Sequence, residues 1–232
     1  MNRLNFNKET DRDMSNRHFA IGDIHGCFDS LKELVENKIQ LQKEDKLIFL
    51  GDYIDRGPKS KEVIDYIIEL QNNDYDVVTL LGNHESMLID AYNNNGSMDK
   101  WIKNGGSETL KSFEFDSLTN IDSKYLNFFN NLKYYFENEE YLFVHAGFND
   151  TIEDPFSDKY WMLWKSRERY SNPLLKDRTI IHGHVPVSLN ITLNQIANNN
   201  KVVNIDGGCI YSNAHLGKLV ALEINSSSIL FV

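Results

Sequence analysis

Residues 51–57 read GDYIDRG and follow directly on the apolar run KLIFL at 46–50. Asp52, Asp55 and Arg56 therefore stand where a buried strand gives way to a turn. Ionised groups at the edge of a core are costly unless they are paired or bound to metal. Four more apolar runs end in the same manner. HFAIGD (18–23) leads into GDIHG (22–26) and DVVTLLGN (76–83) into GNHES (82–86), while YLFVHAG (141–147) stops on HAG and RTIIHGH (178–184) on HGH. Each run delivers Asp, Asn or His beside a glycine, which lets the backbone turn sharply. Five of the seven histidines fall in these motifs.

Further strand-like runs follow at KVVNIDGG (201–208), KLVALEIN (218–225) and SILFV (228–232). Helical patterns separate the first three runs. In FDSLKELVENKI (28–39) Leu31, Leu34 and Val35 share a face, with Asp29 or Ser30 as the expected cap. In PKSKEVIDYIIELQN (58–72) Pro58 sits near the first turn and Val63, Ile64, Ile67 and Ile68 form the buried stripe. This β-α-β-α-β opening predicts largely parallel strands joined by right-handed crossovers. The last third, with its strands close together, predicts antiparallel hairpins. The fold class expected is α/β with mixed sheets, in which ligands bind beyond the carboxyl ends of the strands.

A donor set of Asp, Asn and His suits Mn, Fe or Zn better than calcium. It is too large for one four-coordinate ion. Two ions about 3.5–4 Å apart need one bridging carboxylate and about three further ligands each, and the set supplies that number.

The composition, 232 residues with 41% apolar and 12% aromatic content, is ample for a core and excludes global disorder. A net charge of −10 argues against a nucleic-acid partner, whose backbone needs clustered Lys and Arg. Cys27 and Cys209 are the only cysteines, too few for a disulfide scaffold, and Cys27 reads as a small buried filler. No run approaches the roughly 18 apolar residues that span a membrane. Residues 1–17 lack the apolar stretch of a secretory signal and read as a flexible lead, so the expected location is the cytoplasm. The Asn-rich YNNNGSMDK (92–100) reads as a surface loop. The G-x-G-x-x-G of a dinucleotide-binding fold is absent after the first strand.

In this order and at these separations, GDIHG, GDYIDRG, GNHES, HAG and GH resemble the phosphoprotein phosphatase family of calcineurin-like metallophosphoesterases. The resemblance runs from about residue 18 to residue 224. It implies a four-layer αββα sandwich, two mixed sheets flanked by helices, forming a single domain over 18–232; within it the aromatic-rich residues 92–135 read as a helical cap, with a substrate-recognition surface as the alternative. It implies Asp23 and His25 as ligands of a first metal, Asp52 as the bridge, and Asn83, His145 and His184 as ligands of a second. Mn²⁺ is the expected ion, with Fe and Zn as alternatives. His84 matches the general acid and Asp55 the carboxylate that orients it. Arg56, Asn83 and, after the Leu-Trp of MLWKSRERY (162–170), Arg167 rather than Arg169 match groups that hold the substrate phosphate. His182 is expected to be structural, and Tyr211 and His215 are candidates for the cleft wall.

The activity implied is phosphoester hydrolysis by a metal-activated water. The compact bacterial and phage serine/threonine protein phosphatases are the expected subclass, and symmetrical diadenosine tetraphosphate hydrolases the alternative. The expected partner is thus a phosphorylated protein or a small phosphoester.

Overall fold

A computed structural model describes residues 16–232. Most of the flexible lead expected at 1–17 lies outside the described residues. The expected strands all form: β1 (His18–Ile21), β2 (Lys46–Phe49), β3 (Asp76–Thr79), β5 (Tyr141–Val144), β6 (Thr179–His182), β7 (Val202–Asn204), β8 (Val220–Glu223) and β9 (Ser228–Phe231). One strand was not anticipated, β4 (Tyr135–Glu137), at the end of the aromatic stretch read as part of the cap. Two sheets result, one ordered β3-β2-β1-β8-β9 and the other β4-β5-β6-β7.

Alternation along each strand builds the layers, because successive side chains point to opposite faces. Ala20, Ile48, Val78, Phe143, Ile181, Val203 and Val220 meet between the two sheets. Their chain neighbours Phe19, Ile21, Leu47 and Phe49 turn outward onto the helices. There they meet Leu31, Leu34 and Val35 of 28–39, and Val63, Ile64 and Ile67 of α2 (Ser60–Asn72). On the far side Leu142, Val144 and Ile180 pack on Met162 of α7 (Lys159–Trp164). The molecule is a four-layer αββα sandwich.

Two local expectations are corrected. The helix at 28–39 begins as α1 (Phe28–Lys32) and widens into a π-helix over Glu33–Ile39. Neither Asp29 nor Ser30 caps it, since Cys27 holds the cap position. The last third is not a series of hairpins. β5 pairs with β6 and β6 with β7 in parallel, leaving β8–β9 as the hairpin. A parallel return requires a crossover, and α7 and α8 (Leu189–Ala197) provide helices in those connections. Parallel pairing has the decisive effect on the site. β1, β2, β3, β5, β6 and β7 all run the same way within their sheets, so their carboxyl ends gather donor residues along one edge.

The remaining α-helices are α3 (Asn83–Tyr92), α4 (Met98–Trp101), α5 (Ser107–Phe113) and α6 (Ser123–Asn130). Among the described residues no helix is long and apolar enough to cross a membrane.

Candidate metal centre and active site

The chain leaves β1 through Asp23 and His25, β2 through Asp52, and β3 through Asn83 at the first turn of α3. His145 follows β5 and His184 follows β6. Asp23, His25, Asp52, Asn83 and His145 are all buried at the carboxyl edge of the strands. Reaching these places strains the backbone. His25, Asp52, Asp55, Arg56 and His184 all adopt left-handed φ angles between 48° and 74°. Such conformations cost non-glycine residues on the order of 1–3 kcal/mol and persist where the surroundings enforce them. Glycines give the clearance: a Cβ on Gly82 would strike Asp52 and Glu85, and one on Gly183 would strike Asp23.

Two donor clusters meet at Asp52. Its Oδ2 lies 3.5 Å from His25 Nε2 and 3.5 Å from His145 Nε2. His145 Nδ1 donates to the Leu50 carbonyl at 3.1 Å and His25 Nδ1 to the Ile54 carbonyl at 2.8 Å. These bonds place each ring's proton on Nδ1 and leave the Nε2 lone pair aimed inward, the usual support for a metal-binding imidazole. His145 Nε2, His184 Nδ1 and Asn83 Oδ1 then converge at 2.9–3.2 Å with at most one proton among them. His25–Asp52–His84 and Asp52–His145–His184 each bring ligand atoms within 4.8 Å of one another.

The electrostatics ask for cations. Burial, then the charges of Asp206 and Asp52, push the Asp23 carboxyl well above its usual range. Burial and the charge of Asp52 push Asp206 up to about 7. Burial also acts upward on Asp52, but His145, His84 and His25 outweigh it and hold that carboxylate ionised. Burial, with neighbouring positive groups, lowers His25 and His184 to about 3, so both stay neutral and ready to bind metal. The positive group that reaches in is Arg56, whose Nη1 donates to His25 Nε2 at 2.7 Å, onto the lone pair a metal would take. Buried carboxylates and inward lone pairs fit divalent ions, with Asp23, His25 and Asp52 on one side and Asp52, Asn83, His145 and His184 on the other.

Beside this centre stands a second device. His84 Nδ1 donates to Asp55 Oδ2 at 2.7 Å, and its Nε2 faces Asp52 Oδ2 at 4.0 Å. Burial lowers the affinity of this ring for a proton, but the charges of Asp52 and Asp55 outweigh it and the His84 pKa is raised. Asp55 is fully buried and held by the Trp101 Nε1–H at 2.9 Å and the Thr109 hydroxyl at 2.6 Å. Both come from the segment read as a cap, whose Gly105 carbonyl also accepts the Arg56 N–H at 3.2 Å.

Sequence reasoning missed four participants. Trp101 and Thr109 anchor Asp55, Asp206 lies beside Asp23, and Glu85 carries the GDYIDRG turn. The Glu85 carboxylate accepts the N–H groups of Asp52, Tyr53, Ile54 and Gly82 at 2.8–3.2 Å. Asp206 carried a usable signal, since NIDGG repeats the pattern of a strand ending in Asp and glycine. Among the predicted residues, Arg56 is exposed at the rim. Arg167 is half-buried with its guanidinium over the Trp161 ring at 4.9 Å, and Arg169 is exposed. His182 is buried with its Nδ1 on the Gly183 carbonyl, in keeping with a structural part.

The raised carboxyls give a pH prediction. Groups with folded pKa values above their unfolded ones stabilise the protein at low pH and lose that contribution as pH rises through the folded value. Glu85 is pushed up to about 8 by burial and then by Asp52, and Asp206 to about 7. The lowered histidines act the other way while their unfolded forms still hold protons, and they drop out only above about pH 7.5. The metal-free protein should therefore lose roughly 1 kcal/mol between pH 7.5 and 9. With Mn²⁺ the order should reverse, because metal binding displaces protons. Calorimetric melts in chelator and in Mn²⁺ check both halves; metal-free stability that rises over this interval would refute the account.

Comparison with known proteins places the whole arrangement. The model of a family described as calcineurin-like phosphoesterase matches residues 17–215. An asymmetrical bis(5'-nucleosyl)-tetraphosphatase of Anoxybacillus flavithermus is 27% identical over 228 residues, covering 88% of each chain. A symmetrical bis(5'-nucleosyl)-tetraphosphatase of Buchnera aphidicola is 45% identical over 74 residues, which are 32% of this chain and 26% of that one. The chain thus spans about a quarter of the length of several curated relatives it matches. A protein serine/threonine phosphatase structure from Saccharomyces cerevisiae superposes with a TM-score of 0.62 at 18% identity, over 96% of this chain and 80% of that one.

Proposed function

The chain belongs to the calcineurin-like phosphoesterase family, and from that premise we propose that it hydrolyses dinucleoside tetraphosphates asymmetrically, using a dinuclear metal centre. The observation that supports phosphoester hydrolysis is the meeting of two donor clusters at Asp52, with a carboxylate-held imidazole alongside. The substrate class rests on the relative that matches along 88% of both chains.

When bound, divalent ions at Asp23, His25, Asp52, Asn83, His145 and His184 neutralise phosphate charge and lower the pKa of water near neutral pH. Mn²⁺ is the ion of choice for the test. The chain's own residues supply the rest. The neighbouring carboxylates, by raising the His84 pKa, favour a proton on each of its nitrogens: Asp55 takes the hydrogen bond from Nδ1–H, and Nε2 faces Asp52. From there it protonates the leaving oxygen, a contribution typically worth 10²–10⁴-fold. Arg56, at the rim, pairs with phosphate oxygens through its fork of N–H donors. Asn83, on the first turn of α3, joins a metal ligand's role to a contact with the substrate phosphate, and the helix N-terminus favours the negative charge. A serine/threonine protein phosphatase is the second reading. The exposure of Arg56 favours it, since a folded phosphoprotein can reach that residue.

Metal-stripped protein restored with Mn²⁺ is offered diadenosine tetraphosphate and a phosphothreonine peptide, with His84→Asn alongside. Release of ATP and AMP, lost by 10²–10⁴-fold in the variant, is the expected result. Two ADP would keep the substrate and overturn the mode of cleavage. Turnover of the peptide alone would establish the second reading instead.

A further inference from the structure

Lys100, in α4, is exposed, and its ammonium stands over the Trp164 indole, 4.9 Å from the ring centroid. Trp164, the last residue of α7, is set edge-on to the His184 imidazole at 6.2 Å. One indole ring therefore separates the Lys100 charge from the metal centre. On the other side, Lys100 adjoins Trp101, whose indole holds Asp55 next to Arg56. Lys100 thus reaches from the wall that carries Arg56 to the wall that carries His184. Lys59, Lys61, Lys111 and Lys124 pair with carboxylates. Among the described residues Lys100 pairs with none, in a chain of net charge −10.

A site that cleaves one phosphoryl linkage must also accommodate the charge of the phosphates beyond it. The buried donors and Arg56 serve the reacting phosphoryl group, and a polyphosphate is long enough to extend past one indole. We propose that Lys100 is a specificity-determining residue that binds the phosphates of the substrate lying beyond the reacting one. It rests on the tetraphosphate reading above and names the residue that would select a polyphosphate chain over a single phosphate. The cation–π contact parks the ammonium at the rim, where an aromatic face holds it without neutralising it.

The test titrates inorganic tripolyphosphate and orthophosphate into the manganese-loaded protein by calorimetry, with KM for diadenosine tetraphosphate measured in parallel. Lys100→Met keeps the packing stem and removes the charge; Lys100→Arg keeps both. In Lys100→Met, tripolyphosphate binding should weaken about tenfold, with orthophosphate unchanged, and Lys100→Arg should restore it. Unaltered tripolyphosphate binding, or equal loss for both anions, would overturn the proposal and leave Lys100 a packing residue. A wild-type protein that shows this lysine dependence yet leaves the dinucleotide intact would sink the substrate reading alone. Dinucleotide turnover with the same KM in Lys100→Met would sink the lysine alone.

Discussion

Asp52→Asn should lower turnover by roughly 10⁴-fold or more, about 5–6 kcal/mol of barrier, and leave fewer than two metal ions per chain. The reason is position. Asp52 Oδ2 is equidistant, at 3.5 Å, from the inward nitrogens of His25 and His145. It is also the carboxylate that its neighbours hold ionised, whereas Asp23 and Asp206 are pushed up. An asparagine keeps the shape, and its oxygen can still accept the His84 N–H that Asp52 Oδ1 accepts at 3.1 Å. The variant should therefore fold, and the loss should be read in metal content by elemental analysis and in turnover together. Two metals per chain with turnover within tenfold of wild type would remove Asp52 from the bridging position.

The largest effect on stability should come from a residue that touches neither metal nor substrate. Glu85→Ala deprives the N–H groups of Asp52, Tyr53, Ile54 and Gly82 of their acceptor in a place without solvent. Each stranded donor costs on the order of 1–3 kcal/mol, and the four costs overlap because the turn can relax. A loss of about 4–5 kcal/mol is expected, a large part of the roughly 5–15 kcal/mol that holds such a domain together. Glu85→Gln should lose about half as much, since its oxygen still accepts while its amide N–H groups face other donors. Urea midpoints of the metal-free proteins measure both. A Glu85→Ala loss below about 1 kcal/mol would mean that the turn holds itself.

These two residues show what a linear sequence discloses. Asp52 is legible because it closes an apolar run and sits beside a glycine, and the other runs repeat that pattern. The mixed α/β class follows from the same runs, whereas the αββα layering was implied by the family resemblance of the motifs. Glu85 stands in plain view within GNHES, but its part is to collect backbone N–H groups some 30 residues away, which no local spacing encodes. Trp101 and Thr109 reach Asp55 across 46 and 54 residues. The parallel order of β5, β6 and β7 was hidden by α8, whose Ile191, Thr192 and Ile196 are poor helix formers, with Ile191 and Leu193 left exposed. β4 was hidden by the aromatic run that precedes it. Arg167 is picked out only by its distance from a Leu-Trp pair, a spacing that does not disclose that its guanidinium lies over the indole of Trp161.

For anyone wishing to re-engineer this site for bulkier esters, the 98–113 segment is the wrong place to cut. It looks like a removable lid, yet two of the three side chains gripping Asp55 grow from it, and Gly105 buttresses the backbone of Arg56. Shortening it would slacken the proton donor before it widened any opening. Room is better made at the facing rim, by trimming Trp164, where a smaller side chain enlarges the entrance and leaves the acid's clamp untouched.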